Sequence, residues 1–340
     1  MRINAAFSDR SIAFIKDALS RAAHVTASAL LMLTLGVAFL FAQQQQPQQQ
    51  PAQQGNQPQQ PEFIRRGQQL TREGKLEEAL ALYRQESGNT ANAVQAQVAA
   101  GIVLDLMGRG AEARQYFTKA IEAAATPQAK ANVQRRMAMS YAFEGDCPGA
   151  ARFAQQVFDY QVGQKNFFQQ GEIANELARV CLEAGDVNTA EKWYKTGYDA
   201  GLQEPDIKPA RVALWKFRWE HAQGRIAARR NQKEAALRHV TAAKAILDQN
   251  PEMAKDQLIF YPYLVGYVAY YTGDYNTALA ELQKANQEDA FIQALIAQTY
   301  EKLGQKEKAM EFYRKAFQVT SHNPPAAYAR PLARRKLGMK

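Results

Sequence analysis

A small residue, a Gly seven places on and an Ala five places further on recur seven times between Gly67 and Ala309. The frames are Gly67-Gly74-Ala79, Gly101-Gly108-Ala113, Ala138-Gly145-Ala150, Ala178-Gly185-Ala190, Gly224-Asn231-Ala236, Gly266-Gly273-Ala278 and Ala297-Gly304-Ala309. Asn231 is the one replacement at the middle position. Asn is the residue best able to stand in for Gly where a helix ends in the left-handed region, so the exception keeps the mechanism.

Each frame lies in a helical pattern that breaks at the Gly and restarts at once, as in Lys75-Leu76-Glu77-Glu78-Ala79-Leu80. The pattern is a helical hairpin, and the small residues let its two antiparallel helices approach closely. Large residues fill the space around that contact: Tyr83, Phe117, Tyr194, Leu282 and Tyr313 follow the frame Ala by four places. Pro127, Pro205, Pro251 and Pro324 fall between hairpins, where a missing donor does least harm. No strand pattern competes.

Hairpins with small residues at these places resemble the tetratricopeptide repeat family, whose period is about 34 residues. The likeness spans residues 62–323, and the seventh repeat, with Ala297, Tyr300, Gly304, Ala309, Tyr313 and Ala316, fits best. The fifth fits least, because Asn231 replaces its Gly and Trp215 to Asn250 is long. The resemblance implies an all-α fold: a right-handed α-α superhelix, or solenoid, of about seven hairpins, each burying its apolar face on its neighbours.

Outside the array the composition changes. Residues 1–42 carry Arg2, Arg10, Lys16 and Arg21 and end in an apolar run from Ala29 to Ala42, which reads as a signal peptide or signal anchor. Val25 to Ala42 approaches the length of a spanning helix, so residues 25–42 are a candidate membrane tether. Residues 43–61 are almost wholly Gln and Pro and form a spacer with no apolar face to bury. Residues 324–340 form a basic C-terminal cap or tail. The expected location is exported: periplasmic, or anchored in an inner membrane and facing the periplasm. The formal charge of +9 suits acidic proteins, anionic lipid heads or polymers, with a solvated basic C-terminal helix as the alternative. Nucleic acid is not expected outside the cytoplasm.

Cys147 and Cys181 are the two cysteines. One begins the second helix of the third repeat and the other lies late in the first helix of the fourth. Antiparallel stacking admits a disulfide between them in an oxidising compartment, with two separate thiols as the alternative. Chemistry is not visible elsewhere. His24, His221, His239 and His322 lie far apart, without the three- or four-residue spacing of a helical metal site. Gly108-Arg109-Gly110 follows a helix, not the strand that a dinucleotide fingerprint needs. No cofactor, metal or catalytic residue is expected, and the chain reads as a non-enzyme.

In tetratricopeptide arrays the first helix of each hairpin lines a concave groove. Carried over residue by residue, its inward positions here include Arg135, Asn175, Arg179, Arg218, His221 and Arg225. In the sixth repeat they are Phe260, Tyr263, Tyr267 and Tyr270, whose steps of three, four and three form one aromatic stripe. Aromatic rings and guanidinium groups are frequent anchors of partners. The expected groove receives a peptide or protein with acidic and apolar groups. Ile64, Gln68, Val98 and Ile102 depart from the Lys and Asn clamp of the chaperone-docking branch. The functional expectation is a cell-envelope scaffold for protein–protein interaction. The alternative is an envelope assembly factor that binds wall polymer or outer-membrane components.

Overall fold

The computed structural model describes residues 60–339. The expected signal segment, the tether at 25–42 and all but the end of the Gln/Pro spacer lie outside the described residues. Among the described residues no helix is long and apolar enough to cross a membrane.

Seven hairpins follow one another: α1 (Glu62–Arg72) with α2 (Leu76–Glu86), α3 (Ala93–Met107) with α4 (Gly110–Ala123), and α5 (Pro127–Phe143) with α6 (Cys147–Gly163). Next come α7 (Phe167–Ala184) with α8 (Val187–Leu202) and α9 (Pro209–Arg229) with α10 (Lys233–Gln249). After an inserted α11 (Pro251–Gln257) and a 3-10 turn (Leu258–Phe260), α12 (Tyr261–Tyr271) pairs with α13 (Tyr275–Leu282) and α14 (Ala290–Lys302) with α15 (Lys306–Gln318). A final helix, α16, runs Pro324–Lys336. The result is an all-α solenoid.

All seven middle residues of the frame, Asn231 included, have positive φ, from 57° at Asn231 to 94° at Gly185. The amide after each one donates to a carbonyl five residues back, as in Lys75 to Leu70 at 2.9 Å, Asp186 to Cys181 at 2.9 Å and Gln305 to Tyr300 at 2.9 Å. This is the six-to-one bond of a left-handed helix end, which satisfies a carbonyl the helix cannot. In three hairpins the next residue is an Asp whose carboxylate caps the second helix: Asp146 on Gly149, Asp186 on Thr189 and Asp274 on Thr277.

The seven frame alanines are all buried. The first residue of the frame works differently from the sequence expectation. At Gly67, Gly101 and Gly266 the space a Cβ would take is filled by the side chain sixteen residues on, namely Tyr83, Phe117 and Leu282. A Cβ on Gly101 would sit 2.7 Å from the Phe117 ring, and one on Gly266 2.6 Å from Leu282 Cγ. At these three positions the glycine is a socket for a ring or branched side chain, and at Gly266 the Ala278 backbone oxygen also approaches, at 3.2 Å from that Cβ position.

Cys147 and Cys181 form a disulfide, with their Cα atoms 4.9 Å apart. It ties the start of α6 to the late part of α7 across two repeats. Unreduced, denatured protein is expected to show no free thiol in titration, and two thiols would disprove the bond.

The C-terminal segment, read as a cap or tail, contains a docked helix. α16 packs on α14 and α15 and also reaches α5 and α7. Arg330 is buried, and Arg330 and Arg334 bond carbonyls at the end of α3.

Candidate functional site on the inner helices

The inward stripe of α7 reads Glu172, Glu176, Arg179, Glu183, and that of α9 reads Arg218, Ala222, Arg225, Arg229. Inner helices of successive repeats run parallel, so these stripes meet in register. Arg218 pairs with Glu172, and Arg229 Nη1 pairs with Glu183 Oε2 at 3.1 Å, both across a separation of 46 residues. The same offset sets Arg179 against Arg225. One rung of the ladder therefore carries two like charges between two rungs of opposite charge.

Tyrosines and backbone resolve half of that conflict. Arg225 Nη2 donates to Tyr194 Oη at 2.9 Å, Nη1 to Tyr263 Oη at 3.3 Å and Nε to the His221 carbonyl at 3.3 Å. Tyr267 Oη donates to Glu183 Oε1 at 3.2 Å and accepts from Arg229 at 3.2 Å. Burial pushes the Tyr194, Tyr263 and Tyr267 hydroxyls above their ordinary range, so they remain neutral.

Arg179 is the other half. Its nearest carboxylate is Asp289, 3.9 Å away, whose Oδ1 already accepts from the Phe291 amide at the start of α14. The guanidinium lies over the Phe291 ring at 5.0 Å and the Tyr263 ring at 5.5 Å, and its buried Nε and Nη2 have no hydrogen-bond partner. Three arginines (Arg179, Arg225, Arg229) share two carboxylates (Glu183, Asp289), leaving one positive charge in excess.

The structure thus brings most of the expected groove residues together and turns several of them inward. Tyr267 is fully buried, and Tyr263, Arg225 and His221 nearly so. At these four positions the side chains contact each other and neighbouring helices. Asn175, Arg179, Arg218 and Tyr270 are half-buried. Arg135 pairs with Glu176, its Nε 2.8 Å from Oε2. Phe260 stands at the rim, 41% exposed, beside Leu258 and Ile259. Glu183, Arg229 and Asp289 belong to the site but were not singled out from sequence, and Tyr194 was singled out only as a filler of the hairpin contact. The matching four- and three-residue steps of α7 and α9 carried that signal for Glu183 and Arg229.

A second polar cluster lies where α3, α5 and the approach to α16 meet. Ser140 Oγ donates to Asp105 Oδ1 at 2.8 Å, and His322 Nε2 lies 2.8 Å from Asp105 Oδ2. The carboxylate stands between the other two, so the serine proton faces a carboxylate and not the imidazole. That order ties three elements together without activating a nucleophile. Between α5, α6 and α7 lies a cavity of about 20 Å³, room for one water. Among the described residues no group of three or more His, Cys, Asp or Glu is placed to hold a metal.

Burial holds both inner histidines below the ordinary 6.5, His221 well below, with Arg225 and Arg179 facing it, and His322 less far because Asp105 opposes burial and Arg136. A base whose folded pKa is depressed takes up its proton on unfolding, so stability is lost as pH falls. Each should contribute a slope of up to about 1.4 kcal/mol per pH unit below about 6.5. Melting temperature should drop between pH 7.5 and 5, and less steeply in His221→Asn. A profile flat in both proteins would contradict this.

The geometry defines a helical-hairpin solenoid with a self-paired inner face. A tetratricopeptide repeat family model matches residues 292–323, the seventh hairpin. No curated protein matches the chain. Among solved structures, nearly identical TPR-like repeats from Podosopora anserina share 16% identity over 56% of this chain and 95% of that one, TM-score 0.45. A tetratricopeptide repeat protein from Parabacteroides merdae shares 15% over 82% and 96%, TM-score 0.44. The Cut9–Hcn1 hetero-tetramer of the APC/C shares 17% over 80% and 47%, TM-score 0.41.

Proposed function

We propose that this chain is a protein-interaction scaffold of the cell envelope that captures a partner through a carboxylate-bearing, partly apolar segment. The observation that carries this reading is Arg179: a guanidinium with two buried donors that make no hydrogen bond and only a 3.9 Å ion pair to Asp289, in a cluster with one positive charge in excess, set between aromatic rings. Buried donors normally find acceptors. A carboxylate supplies the missing acceptor and the missing charge beside the Phe291 and Tyr263 rings that flank the guanidinium.

The disulfide supports an oxidising compartment. The basic, then apolar, N-terminal sequence supports export, with residues 25–42 as signal or tether. Small cavities and the lack of a chemical constellation among the described residues favour binding over catalysis.

The test is affinity capture by the full chain from a membrane-and-envelope lysate, alongside Arg179→Gln and an exposed control, Arg66→Gln. A protein held by the native chain and the control but lost by Arg179→Gln is the expected result. Equal retention by all three would remove Arg179 from the site. Retention on insoluble wall material alone would replace a protein partner with a polymer.

A further inference from the structure

α16 lies against the inner face at the rung just described. Its Tyr328 ring packs on Phe291 at 4.9 Å, Phe291 lies under Arg179, and Tyr328 stands within electrostatic reach of Glu183 and Arg229. Tyr328 Oη also accepts from Gln298 of α14 at 3.3 Å. The helix is thus a roof over the ring that carries the Arg179 guanidinium.

Its attachment combines apolar contacts, with Tyr328, Leu332 and Leu337 packed against the core, and a set of polar anchors. The last carbonyls of α3 have no partner within their own helix. Arg330 Nε and Arg334 Nη2 donate to Leu106 O at 2.7 and 2.9 Å, and Arg334 Nη1 donates to Met107 O. Arg330 Nη1 reaches the end of α15 as well, at Phe317 O and, at 3.3 Å, Val319 O. Arg136 holds the His322 carbonyl at 3.1 Å. Cations at helix carboxyl ends are electrostatically favoured, so two arginines latch α16 to an element more than two hundred residues earlier.

The apolar side chains that α16 seals completely are small: Ala326, Ala327, Ala329 and Ala333. Neighbouring α14 seals Phe291, Ile292, Leu295 and Ile296. Pro331 inside the helix removes one of its backbone bonds. Polar anchors can be replaced by water or by another ligand, whereas buried rings cannot. Segments with this make-up open before the rest of a fold does.

We infer that α16 is an intramolecular lid: it covers the Phe291 ring beneath Arg179, is latched to α3 by Arg330 and Arg334, and must lift before a partner segment can dock. This rests on that surface being the partner site. Lifting α16 uncovers the Phe291 ring on which the Arg179 guanidinium lies, and a partner segment arriving there competes with Tyr328 for the same ground. The partner's affinity is then reduced by the fraction of time the lid is closed.

Hydrogen exchange of the full native chain tests the lid without a partner. Amides of α16 should exchange at least tenfold faster than those of α14, and faster still in Arg330→Gln/Arg334→Gln. A labelled peptide of residues 321–340 should bind the folded double variant at least tenfold more tightly than the native chain, whose seat is filled. Equal exchange of α16 and α14 in the native chain would overturn the lid, whether or not the variant folds. So would a folded double variant that fails to bind the peptide. Neither arm uses a partner, so failure here is distinct from failure of the capture with Arg179→Gln.

Discussion

Glu183→Gln should destabilise the protein by about 3–5 kcal/mol, the cost of removing one side of a buried charge pair. The change preserves shape, so no cavity term enters. It leaves Arg179, Arg225 and Arg229 facing Asp289 alone, and puts an amide where Arg229 and the Tyr267 hydroxyl met a carboxylate whose side chain is 5% exposed. Arg225→Met supplies the contrast. Arg225 makes more hydrogen bonds than Glu183, yet its removal lowers the positive excess and fills the space with apolar atoms. Its cost should be about 2 kcal/mol or less, mostly from orphaned tyrosine hydroxyls. Urea unfolding of both variants gives the order directly. If Arg225→Met were the more damaging, hydrogen-bond count and not charge balance would govern this cluster.

Legibility in the sequence followed the range of the forces involved. The hairpins are local: a left-handed residue, a six-to-one bond and a capping Asp within a few positions. That is why Asn231 was readable as an exception that keeps the turn, and its φ of 57° agrees. The length noted for the fifth repeat appears as α9, 21 residues long. The residues assigned to the inner face were nameable, since each follows from its place in a frame. What they meet was not. Arg179 approaches Asp289, Arg136 holds His322 and Arg330 reaches Leu106 through the curvature of the whole stack. No periodicity within one helix records that curvature. A stripe of Tyr and Arg therefore looks like an open binding face whether its complement is a foreign peptide or another helix of the same chain.

The register that pairs Glu172 with Arg218 and Glu183 with Arg229 depends on how α9 sits on α7 and α8, and one side chain sets that seat. Trp215 is fully buried, and a Cβ on Gly171 of α7 or Gly201 of α8 would collide with its indole. The ring occupies a slot made by two glycines, with Phe168 at 5.7 Å and the Arg218 guanidinium at 5.0 Å. Its Nε1 is buried without a hydrogen-bond partner, so it is held there by packing. Trp215→Ala should cost about 3–5 kcal/mol, because two glycines offer no side chain to collapse into the hole. Gly201→Leu should cost about 1–3 kcal/mol by driving the ring out of its slot. The double variant is decisive, since the new leucine would occupy the space the tryptophan left. It should be more stable than the sum of the single losses predicts, by at least about 1 kcal/mol. Strict additivity in urea unfolding would mean that ring and glycine do not share the slot, and that the alignment of the charged rungs has another origin.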